Sequence, residues 1–147
     1  MGDGARQDRH RPLWVEHFSH PISAFAHPMN KTYHDLVREA KTRVKEVTAS
    51  ETIQILTEHP GTVIVDCREP NEAALGTVAG AVIIPRGILE QNIERVATRD
   101  RKVIIYCASG NRSALVADTL QEMGFTDVAT MAGGFRAWIA AGGDVDA

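Results

Sequence analysis

The sequence predicts an α/β fold, a mostly parallel sheet flanked by helices and preceded by an N-terminal arm and helix. Three observations carry this. Short runs rich in β-branched residues, "TVIVD", "AVIIP" and "KVIIYC", with "DVATM" as a weaker fourth, read as strands buried on both faces. The stretches between them show helical spacing of apolar residues. Strands that alternate with helices need crossover connections, and crossovers produce parallel pairing.

Residues 1–28 stand apart. They contain Pro12, Pro21 and Pro28, which forbid one continuous helix, together with His10, His17, His20 and His27. Leu13, Trp14, Val15, Phe18, Ile22 and Phe25 carry enough apolar surface for an arm that docks on its own domain or on a second copy, as in a homodimer. A metal site is the weaker reading, because the histidines lack the close, sulfur-bearing spacing of zinc ligands. Residues 29–147 form the folded domain. In "TYHDLVREAKTRV", Tyr33, Leu36, Val37, Ala40 and Val44 lie on one face of a helix. "KEVTASETIQILTEHPG" then reads as a short strand at 46–48, a helix opening at Ser50 as N-cap, and a stop at Pro60-Gly61. After "TVIVD" and "AVIIP", "RGILEQNIERV" reads as a helix. "KVIIYC" is followed by the helical "SALVADTLQEMG", and "DVATM" by the helical "GGFRAWIAAGG".

Composition narrows the function classes. The 147 residues suit one domain, and a net charge of −3 with 44% hydrophobic and 24% charged residues describes an ordinary globular chain. Neither nucleic acid nor a membrane is an expected partner, since no basic run and no spanning apolar stretch occurs. The opening MGDGARQDRHRP has no export pattern, and the two cysteines suit reduced thiols, so a cytoplasmic setting is expected. No cofactor or metal is expected.

The chemical signal lies in "CASGNRSALVADTLQEMG". Cys107 stands at the carboxyl end of a strand, where open α/β sheets bind ligands. Ala108, Ser109, Gly110, Asn111, Arg112 and Ser113 let the chain curl into the helix that follows, so that unsatisfied N–H groups and the positive helix end converge on one point. A thiolate there is favoured over the thiol, which makes Cys107 a nucleophile. Arg112 brings a charge and Ser113 a hydroxyl, either within reach of the sulfur or its substrate.

"DCREPNEAALGTVAGAVIIPRGILE", "VIIYCASGNRSALVADTL" and "MAGGFRAWIAAGG" resemble, in order and spacing, the signature regions of single-domain rhodanese-like sulfurtransferases, over about residues 46–145. The resemblance implies a five-stranded parallel sheet and a Cys107 that carries sulfur as a persulfide. A small sulfur donor, thiosulfate or another persulfide, and a thiol or cyanide acceptor are the implied partners. Asp66, Arg68, Glu69 and Pro70 match the family's Asp-x-Arg-Glu-Pro stretch. Arg68 is expected to pair with a carboxylate such as Glu72 and to buttress that strand edge, and Arg86 joins Asp66 and Arg68 as a supporting residue. Gly133 and Gly134 read as a turn and Trp138 as core. Ala73, Thr77 and Ala79 depart from the aromatic, histidine and proline common in relatives; the first of these changes implies different packing and a wider rim. Four residues separate Cys107 from Arg112, where phosphatases and arsenate reductases of this fold place five, and no acid in the loop could protonate a leaving alcohol, which disfavours those activities. The non-enzymatic alternative is an interaction module of the same fold. Cys67 could resolve the persulfide as a disulfide, but alternation from Asp66 along the strand turns it toward the core, the favoured reading.

Overall fold

The computed structural model describes residues 30–147, so the arm at 1–28 lies outside the described residues. Its elements in chain order are α1 (Tyr33–Arg43), β1 (Lys45–Val47), α2 (Ala49–Glu58), β2 (Val63–Asp66), α3 (Pro70–Ala73), β3 (Thr77–Val78), β4 (Val82–Ile83), α4 (Leu89–Asn92), β5 (Val103–Tyr106), α5 (Asn111–Glu122), β6 (Val128–Met131), α6 (Gly134–Ala140) and β7 (Val145–Asp146). β5 is buried at all four positions, as an apolar run flanked by parallel neighbours requires. It is the third strand of a five-stranded sheet in the order β1-β6-β5-β2-β4, parallel throughout.

Strand alternation divides the core into two layers. Val65, Val103, Ile105 and Val128 face Ala114, Val116, Ala117 and Leu120 of α5 and Leu89 of α4. Ile64, Ile104, Tyr106, Ala129 and Met131 face Ala49 of α2 and Trp138 of α6. Trp138 is buried, and its Nε1 donates to the Asp144 carbonyl at 2.9 Å.

Several local expectations change. The first strand runs one residue earlier, and Thr48 rather than Ser50 caps α2. Its hydroxyl accepts from the Glu51 N–H at 3.0 Å while the Glu51 carboxylate accepts from the Thr48 N–H at 3.2 Å, a reciprocal capping box that leaves Ser50 inside the first turn. "AVIIP" is not buried on both faces: β4 is the sheet edge, two residues long, with Ile83 about half exposed. "RGILEQNIERV" forms a 3-10 turn at Arg86–Ile88, the single turn α4 and a second 3-10 turn at Ile93–Arg95 in place of one helix. On α1, Val37 and Ala40 are buried while Tyr33 and Leu36 remain exposed. β3 and β7 add a small antiparallel ribbon that periodicity does not reveal in two-residue segments. No helix among the described residues is long and apolar enough to cross a membrane.

Candidate active site

β5 delivers Cys107 to the carboxyl edge of the sheet, and the chain then bends into α5. Gly110 makes the bend, at φ +97° in the left-handed region that favours glycine. A Cβ there would meet Gly133 N at 3.2 Å and Met131 O at 3.4 Å. From this turn the Gly110 N–H donates to Cys107 Sγ at 3.1 Å, and the Ser113 N–H, in the first turn of α5, donates at 3.4 Å. The Ser113 hydroxyl lies 3.5 Å from Sγ and 2.7 Å from Thr130 Oγ1 on β6. Cys107 is 1% exposed, so these contacts replace water around its sulfur.

The back of the loop is clamped by α6. Phe135 N–H donates to the Cys107 carbonyl at 2.8 Å and Arg136 N–H to the Ala108 carbonyl at 3.3 Å. The approach needs Gly134: a Cβ there would sit 2.3 Å from the Cys107 oxygen. The closing Gly-Gly is thus more than a turn, since it lets a helix start press against the active loop.

Asp66 and Tyr106 are register partners in β2 and β5, and Cys67 and Cys107 follow one residue later. Cys67 N–H still donates to the Tyr106 carbonyl at 3.0 Å. Asp66 and Tyr106 point to one face of the sheet, and their hydroxyl–carboxylate contact is 2.7 Å. Cys67 and Cys107 therefore share the other face, in the same buried layer. Alternation from Asp66 does turn Cys67 into the core, but that core contains the Cys107 sulfur. The neighbouring Cys67 thiol is the largest influence lowering the Cys107 pKa to about 4. Burial opposes this, and the Ser113 hydroxyl and the Ser113 and Ser109 N–H groups add to it. Cys67 is pushed upward by the neighbouring Cys107 sulfur and by burial, and keeps its proton.

The remaining loop residues are placed differently from expectation. Arg112 does not reach the sulfur: its Nη1 and Nη2 donate to the two carboxylate oxygens of Glu72 at 2.7 and 2.9 Å. This fork raises the Arg112 pKa and lowers Glu72 to about 2. Asn111 accepts from Lys41 of α1 at 3.4 Å, and Ser109 is exposed at the loop tip. Arg68 does not pair with Glu72. Its Nε and Nη2 bind the Asp66 carboxylate at 3.0 to 2.7 Å, Nη2 also donates to the Gly76 carbonyl at 2.6 Å, and the guanidinium lies 4.3 Å from the Phe135 ring. Two positions of separation suffice because the chain turns after β2, while Glu72 is drawn into α3, where it also accepts from the Glu69 N–H at 3.1 Å. Arg86 joins through its backbone, its N–H donating to the Cys67 carbonyl at 3.1 Å. Tyr106 and Thr130 were missed in the sequence. A hydroxyl inside each of two buried strands was the available signal, since a buried hydroxyl needs a partner. Among the described residues no group of three or more His, Cys, Asp or Glu could hold a metal ion.

Residues 48–141 match the family model described as a rhodanese-like domain. The chain is 34% identical over 100 residues to a thiosulfate sulfurtransferase GlpE of Pseudoalteromonas translucida (strain TAC 125), covering 66% of this chain and 90% of that protein. It is 39% identical over 75 residues to the uncharacterized protein YqhL of Bacillus subtilis (strain 168), covering 51% of this chain and 59% of that protein, so the match spans little over half of YqhL's length. Among solved structures, a protein of unknown function from Rhodopseudomonas palustris CGA009, described as a possible tyrosine phosphatase, superposes with a TM-score of 0.72 at 34% identity, covering 82% of this chain and 98% of that one.

Proposed function

The chain belongs to the rhodanese-like domain family, and on that premise we propose that it is a sulfurtransferase that carries sulfane sulfur as a persulfide on Cys107. The supporting observation is the Cys107 sulfur itself: Gly110 and Ser113 N–H groups and two thiol or hydroxyl side chains favour its anion, at the end of a parallel strand. The thiolate attacks the outer sulfur of thiosulfate, the sulfur–sulfur bond of the donor breaks, and sulfite leaves with its electron pair. A low-molecular-weight persulfide serves the same step with a thiolate as leaving group. The persulfide then occupies the curve of backbone donors from Ala108 to Ser113, and a thiol or cyanide removes the outer sulfur and restores the thiolate. Because Glu72 neutralises Arg112, the loop offers little net positive charge, which favours a persulfide donor over dianionic thiosulfate.

Thiocyanate formation from thiosulfate and cyanide tests this reading in wild type and Cys107→Ser. The serine variant is expected to lose at least about a thousandfold in kcat/KM with its fold retained by circular dichroism. Equal activity in the two proteins overturns the assignment. An inactive wild type that also fails with a persulfide donor points to the interaction module. Hydrolysis of an aryl phosphate would instead match the description attached to the Rhodopseudomonas neighbour.

A further inference from the structure

The sulfur-transfer cycle leaves Cys67 unused. Its side chain is fully buried, and the reactive atom it faces is the Cys107 sulfur. The two residues stand side by side, one position past the paired Asp66 and Tyr106, on strands whose spacing in a sheet is about 4.7–4.9 Å. That spacing falls within the Cα separation of about 4.4–6.8 Å that a disulfide bridges.

We propose that Cys67 is a resolving thiol: when Cys107 carries a persulfide and no acceptor arrives, Cys67 Sγ attacks Cys107 Sγ, closes a Cys67–Cys107 disulfide and expels the outer sulfur as hydrosulfide. This rests on the persulfide reading above. The bond formed joins the two Sγ atoms, and the bond broken joins Cys107 Sγ to the outer sulfur. The outer sulfur leaves with that electron pair and takes the Cys67 proton. The sulfane sulfur is reduced to sulfide as the two cysteine sulfurs are oxidised to the disulfide, so no oxidant beyond the sulfur donor is required. A dithiol reductant attacking the disulfide returns both thiols. The protein thereby discharges unclaimed sulfane sulfur as sulfide and stays closed to a new donor until it is reduced.

The resting and loaded forms differ in the way this requires. In the resting form the Cys107 thiolate beside it keeps Cys67 protonated, and two sulfurs at the thiol level do not react with each other. Loading moves the negative charge to the outer sulfur and makes Cys107 Sγ an electrophile.

The experiment loads full-length wild type, Cys67→Ser and Cys67→Val with one equivalent of thiosulfate or glutathione persulfide without acceptor. Intact-mass spectra and released sulfide are then followed over time. Wild type is expected to pass to a species two hydrogens lighter than the reduced chain, with sulfide released in equal amount and a Cys67–Cys107 peptide in a non-reducing digest. Both variants are expected to keep one added sulfur on Cys107 at least about tenfold longer. If wild type keeps its adduct as long as the variants and forms no cross-link, the resolving role is overturned while the persulfide reading stands. If wild type and both variants form neither adduct nor cross-link, the persulfide reading falls, and the resolving role with it.

Discussion

Where β2 and β5 end, adjacent residues on the two faces of the sheet do opposite things with charge. On one face the Asp66 carboxylate takes the Arg68 guanidinium, the Arg68 N–H and the Tyr106 hydroxyl, and Tyr106 in turn accepts from the Val78 N–H at 2.9 Å. Both carboxylate oxygens of Asp66 are engaged there, with Asp66 and Arg68 both buried. On the other face Cys107 sits among weaker, sulfur-directed contacts from Gly110 and Ser113, beside the Cys67 thiol, and among the described residues no cation hydrogen-bonds to it. The first arrangement ties the β2 end to the turn at Gly76. The second holds an anion without quenching it, which is what a nucleophile needs. The difference shows that one strand edge can hold a brace and the proposed reaction centre because side chains alternate.

Substitutions on each face should therefore separate stability from chemistry. The largest effect is expected for Asp66→Asn, which strands the buried Arg68 charge and costs about 3–5 kcal/mol in urea denaturation, with kcat of the folded protein near that of wild type. A large fall in kcat at unchanged stability would place Asp66 in the chemistry and erase the contrast.

Ser113→Ala comes next. Titration of the thiolate by ultraviolet absorbance should show the Cys107 midpoint rising from about 4 by about one unit or more. The sign carries over to stability. The folded value lies below the unfolded one of about 8.5, so the thiolate contribution is complete above about 8.5 and is lost as pH falls toward about 4. Wild type should accordingly gain stability over Cys107→Ser as pH rises through that window. An unmoved midpoint would remove Ser113 from the set that holds the anion.

The smallest effect belongs to the partly exposed counterpart of the buried pair. Glu72→Gln should cost under about 1 kcal/mol, since the Arg112–Glu72 fork is 28% and 31% exposed. It should also lower the KM for thiosulfate, because the freed guanidinium adds positive charge at the loop. A raised KM would mean that the pair shapes the loop rather than shielding it.

The strands "TVIVD" and "KVIIYC" were legible because nearly continuous β-branched runs bounded by turn residues have few other solutions, while "DVATM", with only Val128 and Thr130 β-branched, gave a weaker signal. "AVIIP" was legible as a strand but not as an edge, since exposure depends on whether another strand pairs beyond it. The broken helix at 86–95 and the ribbon of β3 and β7 are too short for periodicity to register. At the site, the cysteine, its glycine and the helix start were all local, and so readable. The partners of Arg68, Arg112 and Cys67 were not. Each of those side chains had more than one candidate within reach along the chain, and the choice fell to whichever the fold brought nearest.

By itself the sequence determined which residue is the candidate nucleophile and which short turn lets backbone donors reach its sulfur, because a strand end, a glycine and a helix start are set by neighbours in the chain. Only the tertiary structure decided which charges cancel, that α6 presses on the loop through Gly134, and that Cys67 faces Cys107. Those depend on which strands lie side by side and in what register. Register is fixed by burial summed over the whole sheet, a quantity no local stretch contains.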